Sequence, residues 1–233
     1  MTRYAMVINL HACVGCGACD IACSIENQVP NGVHLSYHIN STTGTFPKVK
    51  YTYRPVMCNQ CTNAACVAAC PTQAMHKDEN GITAWDASKC IACGACAAAC
   101  PYRAITRAPE NTAASDLGSV PALLKGITST GAEVQKAAKN DYPMHDLALD
   151  DYNLPNTTVG GPLKCQMCRH LVDKGDNPRC VEACPAGARI FGDISDIYSE
   201  VYQLTQDYDA TVLKPEEGTE PAVYYIRDFN KTW

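Results

Sequence analysis

Sixteen cysteines stand in four runs of four along this chain, and no cysteine falls outside them. The first run lies in HACVGCGACDIACSIEN, the second in CNQCTNAACVAACP and the third in CIACGACAAACP, while the fourth is stretched as CQMCRHLVDKGDNPRCVEACP. The runs comprise Cys13, Cys16, Cys19 and Cys23; Cys58, Cys61, Cys66 and Cys70; Cys90, Cys93, Cys96 and Cys100; and Cys165, Cys168, Cys180 and Cys184. Thiols at such spacing serve disulfide, zinc or iron–sulfur chemistry.

Spacing separates these three chemistries. Disulfide frameworks are typical of small secreted domains, which this chain of 233 residues does not resemble. Structural zinc takes two C-x2-C pairs, and a third cysteine at the same spacing has no use on one zinc ion. The pattern C-x2-C-x2-C-x3-C is that of ferredoxin ligands to a cubane cluster with four irons and four sulfides. Sixteen thiolates satisfy four such clusters, so the sequence predicts four.

The runs also carry the backbone residues that cluster loops require. In two-cluster ferredoxins the fourth cysteine of each run crosses to the partner cluster. Pro71, Pro101 and Pro185 directly follow a fourth cysteine, where proline ends one element and redirects the chain, whereas Cys23 is followed by Ser24. The ligand loops also contain glycines, which adopt positive φ at low cost: Gly15, Gly17 and Gly94.

The order of the runs predicts how they pair. The second and third are close neighbours, joined through Glu79-Asn80-Gly81, which reads as a hairpin turn, and they form one ferredoxin-like unit at 54–108. The first and fourth runs then form the other unit, and the unit at 54–108 is inserted between its two halves. The predicted ligands are Cys13, Cys16, Cys19 and Cys184 for cluster 1; Cys23, Cys165, Cys168 and Cys180 for cluster 2; Cys58, Cys61, Cys66 and Cys100 for cluster 3; and Cys70, Cys90, Cys93 and Cys96 for cluster 4.

Nearly the whole chain resembles the iron–sulfur subunit of molybdopterin oxidoreductases of the dimethyl sulfoxide reductase type. The resemblance rests on four pieces, MVINLHACVGCGACDIACSIEN, CNQCTNAACVAACPTQAMHKDENGI, KCIACGACAAACPYRAI and KCQMCRHLVDKGDNPRCVEACPAGARIFGD, with the x4 and x11 gaps in their order. The link TGTFPKVKYTYRPVMCNQC is most similar to the small subunit of respiratory arsenate reductase. Related subunits serve polysulfide reductases and enzymes that act on the hydroxyl groups of aromatic substrates.

The resemblance implies a function without catalysis by this chain. A linear wire of four 4Fe-4S clusters would relay single electrons between a large catalytic subunit, with a molybdenum or tungsten bis-pterin cofactor, and an outside donor or acceptor. That outside partner would be a membrane quinol-oxidising subunit or a soluble donor. The resemblance implies the same ligand pairing. A free-standing soluble polyferredoxin stays open as the alternative function.

Composition narrows the partners further. The formal charge of −5 would fall to about −13 with four oxidised clusters, which disfavours nucleic acid as a partner.

No segment approaches the run of about 18 apolar residues that a membrane span requires. The first cluster loop follows the start MTRYAMVINLHAC almost at once, so we expect no signal peptide. We expect a cytoplasmic protein, or a periplasmic one exported together with a signal-bearing partner.

The predicted fold is α+β. It consists of the discontinuous unit A (1–53 with 162–192), the inserted unit B (54–108), a loop-rich surface excursion (109–161) and a C-terminal extension (193–233). The stretch AVYYIR in this extension predicts an edge strand.

Four other residues have possible roles near a metal. His34 and His38 have helical metal spacing, but we expect them in a surface loop. His170 could tune a cluster by a hydrogen bond or simply pack, and Tyr102 is expected to shield a cluster from water. The sequence contains no recognisable nucleophile with its base and no phosphate-binding loop.

Overall fold

Short helices and strands alternate through the computed structural model, which describes residues 2–27, 29, 32–108 and 160–228. This mixture agrees with the predicted α+β class. The strands are β1 (Tyr4–Asn9), β2 (Ser36–Thr45), β3 (Lys48–Met57), β4 (Met75–Lys77), β5 (Thr83–Trp85), β6 (Thr106–Arg107), β7 (Pro162–Leu163), β8 (Arg189–Asp193) and β9 (Val223–Ile226). The helices are α1 (Ala18–Glu26), α2 (Ala65–Ala68), α3 (Ala95–Ala99), α4 (Arg169–Val172), α5 (Arg179–Glu182) and α6 (Glu200–Asp207).

A three-stranded sheet of order β8-β1-β9 lies under the first cysteine run. The central strand β1 is antiparallel to β8 and parallel to β9. Its residues from Ala5 to Ile8 are fully buried, as expected for a continuous apolar run with packing on both faces. On one face Met6 and Ile8 join a core that includes five cysteines. Strand β1 therefore leads directly into the first ligand loop.

The C-terminal part of the chain completes this sheet. Val201 of α6 packs with Val7 of β1 on the other face, and the Ser199 hydroxyl caps α6 by accepting a hydrogen bond from the Tyr202 N–H at 3.1 Å. β9 contains most of the AVYYIR stretch and lies at the sheet edge, which confirms that strand prediction.

Strands β2 and β3 form a long hairpin that pairs with no other strand among the described residues. Ten residue pairs join them, from Ser36 with Met57 to Thr45 with Lys48. The end near Ser36 is buried and the tip is exposed. Gly44 near the tip has a φ of 85°, and a Cβ there would lie 2.1 Å from the Lys48 carbonyl oxygen. The hairpin therefore anchors at its base, next to the first cysteine run.

Two helix pairs place the cysteines. α1 packs against α5, and α2 packs against α3. Each of these helices carries at least one cysteine, and α2 and α3 consist largely of alanine, whose small side chain lets the backbones approach. β4 and β5 are joined by the turn predicted at Glu79-Asn80-Gly81, which confirms the short hairpin.

Some predictions concern residues that are not described. The predicted excursion lies outside the described residues except for Gly160 and Gly161. Within the described ranges, no helix is both long enough and apolar enough to cross a membrane.

Candidate metal centres

All sixteen cysteines are described, and none is in a disulfide. We call the four predicted ligand sets sites 1 to 4, with the numbers of the predicted clusters. Each combines three cysteines of one run with one cysteine of another. The geometry below shows which thiols lie together; iron ligation itself stays a prediction.

Site 1 lies between the first ligand loop and the turn after α5. Its four thiols line one cavity, together with His38, Pro55 and Arg189: Cys13, Cys16, Cys19 and Cys184. Burial raises the pKa of the Cys13 thiol, and the nearby Cys184 adds to this. The Tyr53 ring lies where a Cβ on Gly15 would be 2.9 Å away, and its hydroxyl donates to the Cys13 carbonyl oxygen at 2.8 Å. Strand β3 of the hairpin therefore holds this loop in place through Tyr53.

Site 2 is the most buried of the four. Its thiols are all buried and come from α1, the loop before α4, and α5: Cys23, Cys165, Cys168 and Cys180. Burial raises the pKa of Cys23 well above its usual value, and the other three thiols raise it further. Burial likewise raises the pKa of Cys165 to about 12 and that of Cys168 to about 11. Four mutually close thiols in a dry environment favour a cationic metal core.

Site 3 joins the second run to the end of the third. Burial raises the pKa of Cys66 to about 11, and three neighbouring thiols contribute: Cys58, Cys100 and Cys61. Burial also raises the pKa of Cys61, where a hydrogen bond with Thr219 acts in the opposite direction. Tyr102 bonds to the same Thr219 hydroxyl at 2.5 Å, so it lies beside this site.

Site 4 is the most open. Its four thiols line one cavity that also contacts Met75, Trp85 and Arg107: Cys70, Cys90, Cys93 and Cys96. Cys93 is exposed and the others are half-buried. Although burial acts to raise it, the pKa of Cys70 is lowered, because the Met75 N–H and Thr72 donate to the sulfur.

A shared backbone conformation recurs in the four runs. The residue two places after each first cysteine has a positive φ of 48–67° in Gly15, Gln60, Ala92 and Met167. In two of the loops this residue donates its N–H to that cysteine, Ala92 to Cys90 Sγ and Met167 to Cys165 Sγ, each at 3.4 Å. Sequence reasoning found only Gly15, because the other three are not glycine.

The first run differs from the others because Ser24, and not proline, follows its fourth cysteine, and the backbone differs there as well. Where proline follows the fourth cysteine, the residue two places after the proline has a positive φ, at Gln73, Arg103 and Gly187. Helix α1 instead continues past Cys23 to Glu26. This extra helical turn supplies Glu26, which pairs with His170 Nε2 at 2.9 Å and with Arg179 Nε at 2.8 Å.

The donor set fits 4Fe-4S clusters. Backbone N–H groups donate hydrogen bonds to cysteine sulfurs in these sites, including Ala188 to Cys184 Sγ at 3.2 Å. Such hydrogen bonds are typical of cysteines that ligate iron–sulfur clusters. The thiols of sites 1 and 4 converge on one cavity each, with three from one run and the fourth from another. Structural zinc instead takes two C-x2-C pairs, which does not match three thiols from one run and a fourth from another.

The sites follow one another in numerical order. Cys180 of site 2 lies close enough to Cys19 of site 1 to raise its pKa, behind the larger effect of burial. Cys58 of site 3 acts in the same way on Cys165 of site 2. Sites 3 and 4 share the second and third runs, whose helices α2 and α3 are in contact. The exposed cysteines, Cys16 and Cys93, belong to the two end sites.

Several charged residues near the sites have no sequence signal. Arg189 is 3% exposed and donates to the Ser36 hydroxyl at 2.9 Å. Burial opposes its charge, but Cys180, Cys19 and Asp20 together hold the pKa of this guanidinium above its usual range. Lys164, 1% exposed, and the half-buried Lys77 lie beside sites 2 and 3.

The histidine predictions are partly corrected. His34 is exposed, as expected. His38 is wrongly predicted as a surface-loop residue: it lies on β2, and its Nδ1 is 2.5 Å from Asp20 Oδ2, within 4.8 Å of Cys19 Sγ. The alternation of β2 turns it toward α1, which helical spacing could not reveal. His170 is buried against Glu26.

Comparisons with known proteins identify iron–sulfur relatives of this chain. Two family models, both described as a 4Fe-4S dicluster domain, match residues 49–116 and 89–188. The chain is 44% identical to the arsenate respiratory reductase iron-sulfur subunit ArrB of Shewanella sp. (strain ANA-3), with 97% of each chain covered. It is 36% identical to a selenate reductase subunit of Mesobacillus selenatarsenatis, with 96% of this chain and 72% of the relative covered. It is 34% identical to a tetrathionate reductase subunit of Salmonella typhimurium, with the same coverage.

Proposed function

Because the chain belongs to the family of iron–sulfur subunits of dimethyl sulfoxide reductase-type molybdopterin oxidoreductases, we propose that it carries four 4Fe-4S clusters as one electron path. The proposal rests chiefly on one observation, the four neighbouring groups of four thiols that are free of disulfides. The clusters would supply one-electron redox chemistry, and the protein would supply ligands, shielding and hydrogen bonds.

The proposed ligand sets are those of the sequence prediction. Sites 1 and 2 would belong to unit A, formed by 1–53 and 162–192, and sites 3 and 4 to unit B at 54–108, inserted between its halves. The contact of α1 with α5 and that of α2 with α3 support this division, since each joins the two runs of one proposed unit. The extension from 193 contributes α6 and β9, which pack on the sheet of unit A.

We propose that electrons enter and leave at the ends of the path. The exposed Cys16 of site 1 and Cys93 of site 4 lie where a partner could approach a cluster, whereas the thiols of site 2 are buried. The exposed apolar side chains Val14 and Ile91 lie in these same two end loops, at 62% and 64% exposure. Apolar surface beside an electron-exchange site is a feature of protein docking.

The proposed partner at one end is a large catalytic subunit with a molybdenum or tungsten bis-pterin cofactor. The proposed partner at the other end is a membrane quinol-oxidising subunit or a soluble donor. The relatives above are named for arsenate, selenate and tetrathionate reductases. We propose an oxyanion such as arsenate as the first substrate to test, with polysulfide and aromatic hydroxyl compounds next. The partner would determine the compartment, cytoplasm or periplasm.

Anaerobic affinity purification from the native host tests this function. The purified material is examined by mass spectrometry and by metal analysis for iron, molybdenum and tungsten. We expect a large molybdopterin subunit in stoichiometric amount and reduction of one test substrate by the complex. Recovery of the chain alone with about sixteen irons, as four clusters require, and without molybdenum or tungsten would support a diffusible polyferredoxin instead.

A further inference from the structure

Two lysine side chains, one buried and one half-buried, lie beside sites 2 and 3. Lys164 directly precedes Cys165 of site 2 and is 1% exposed. Lys77 ends β4 and is half-buried. Both reach Thr83 on β5, Lys164 through the carbonyl oxygen at 2.5 Å and Lys77 through the hydroxyl at 3.2 Å. The two ammonium groups thus share one pocket next to the central sites.

The hydrogen-bond partners of these lysines carry no charge. Lys164 Nζ also donates to the Cys165 carbonyl oxygen at 2.8 Å. Lys77 Nζ donates to the carbonyl oxygens of Cys61 at 2.9 Å and Gly81 at 2.5 Å, and to that of Gln60 at 3.3 Å. The ion pairs found in the described ranges involve neither lysine. Lys77 is next to Asp78, but that carboxylate pairs with Arg169 at 3.3 Å.

Two neighbouring ammonium groups that are largely shielded from water favour negative charge close by, because burial without compensation disfavours a cation. Burial lowers the pKa of Lys77, and the positive charge of Lys164 lowers it further, whereas Cys58, Cys61 and, after them, Asp78 act in the opposite direction. Lys164 in turn lowers the pKa of Cys66, although burial dominates there. The hydrogen bonds of Lys77 to the Cys61 carbonyl oxygen and of Lys164 to the Cys165 carbonyl oxygen place the two ammonium groups beside sites 3 and 2.

We propose that Lys164 and Lys77 supply the positive charge that raises the reduction potentials of the two central clusters. This inference rests on the proposed function, since it needs clusters at sites 2 and 3. Reduction adds one electron and makes a cluster more negative by one unit charge. A fixed cation in a poorly solvated place stabilises that reduced form more than the oxidised form. The central clusters would then take up electrons before the end clusters do.

The chain contains a matched lysine without this environment. Lys89 precedes Cys90 of site 4 just as Lys164 precedes Cys165, and both begin a Lys-Cys-x-x-Cys sequence. Its side chain is 62% exposed and pairs with Asp86 at 3.3 Å. Water and the carboxylate screen its charge, so it should have little effect on cluster 4.

Potentiometric titration of the anaerobically purified holoprotein, followed by electron paramagnetic resonance, tests the proposal. The signal of cluster 3 is first assigned from a Cys66→Ser variant and those of the end clusters from Cys184→Ser and Cys93→Ser, so that the remaining signal belongs to cluster 2. We expect Lys164→Met and Lys77→Met each to lower the midpoint potential of cluster 3, with a smaller decrease for cluster 2 in Lys164→Met. Lys77→Arg should restore the midpoint, and Lys89→Met should leave every midpoint unchanged.

Iron content and spin quantification separate the possible failures. If the wild-type chain lacks four clusters, the proposed function fails. If it has four, and the lysine variants retain them with unchanged midpoints, only the lysine proposal is overturned. Should Lys164→Met fail to assemble, the pair Lys77→Met and Lys77→Arg decides, because Lys77 is less buried. Equal decreases in Lys77→Met and Lys77→Arg would mean that packing, not charge, sets the potential, and would also overturn the proposal.

Discussion

Sites 2 and 4 have the same number of thiols but opposite environments. The four cysteines of site 2 are at most 9% exposed, whereas site 4 combines half-buried cysteines with the exposed Cys93. Site 2 draws on α1 and on 165–180, which are far apart in sequence, while site 4 draws on neighbouring runs. Cysteine spacing predicts a set of four thiol ligands at both sites, but tertiary packing determines how well each is shielded.

The two sites should also differ in their importance for folding. Cys23 and Cys165 belong to the main apolar core, together with Ile8 and Tyr225, whereas no thiol of site 4 does. A cluster in the core replaces apolar contacts that would otherwise stabilise the fold. Loss of cluster 2 should therefore disturb the whole chain, and loss of cluster 4 should remain local.

The largest expected effect comes from removing one ligand at each site. Cys23→Ser should prevent stable folding, because it leaves a buried hydroxyl and three buried thiols without their metal. Cys93→Ser should fold and lose about four of about sixteen irons. Soluble yield, limited proteolysis and iron content measure the difference. Equal solubility and equal iron loss in the two variants would contradict the comparison.

A second variant tests whether Cys184 is a ligand of cluster 1, as its position in space indicates, or of cluster 2, as its position in the sequence would suggest. By sequence it belongs to the run that supplies Cys165, Cys168 and Cys180, but in space it lines the cavity of site 1. Cys184→Ser should therefore remove or convert cluster 1 and leave cluster 2 intact. Low-temperature electron paramagnetic resonance of the reduced protein distinguishes these signals. Loss of the cluster 2 signal alone would refute the crossed assignment.

The difference in shielding should also be visible in the order of oxidative damage. Clusters at sites 1 and 4 should degrade first under limited air or ferricyanide, because Cys16 and Cys93 are exposed. The clusters at sites 2 and 3 should survive several-fold longer. The decay of each resonance signal with time gives the rates, with an anaerobic sample as control. Simultaneous decay of all four signals would show that shielding does not govern reactivity.

The smallest expected effect concerns ion pairs beside the two sites. The half-buried Glu26 side chain joins α1 to His170 and Arg179, whereas the Asp86–Lys89 pair near site 4 is mostly exposed. Glu26→Gln should cost about 1 kcal/mol, which lowers the apparent Tm by about 2–4 °C. The control Asp86→Asn should leave the Tm unchanged, because water screens this pair.

The pH dependence of the Glu26 effect has a definite sign. Burial acts to raise the pKa of Glu26, but hydrogen bonds from His170 and Arg179 outweigh it and hold this pKa below its usual value. The stabilisation is thus complete above the unfolded pKa of about 4.3 and is lost only as pH falls through the lower folded pKa. The Tm difference between wild type and Glu26→Gln should hold from about pH 8 to pH 6. A difference that disappears within this range would contradict the assignment.

The sequence predicted much of the site and less of its surroundings. Cysteine spacing, the loop glycines, the β4–β5 turn and the edge strand are local patterns, and the structure contains each of these elements. Arg189, Lys164 and His38 were missed or misplaced because their burial depends on contacts between distant segments. The positive φ of Gln60, Ala92 and Met167 was missed as well, because glutamine, alanine and methionine do not indicate this conformation as glycine does.

The most direct test of the account is the iron and acid-labile sulfide content of the anaerobically purified chain, combined with spin quantification after reduction. Four clusters predict about sixteen irons and sixteen sulfides per chain and four reducible paramagnetic centres. About eight irons, or stoichiometric zinc in a colourless protein, would contradict the claim that all four cysteine groups hold clusters.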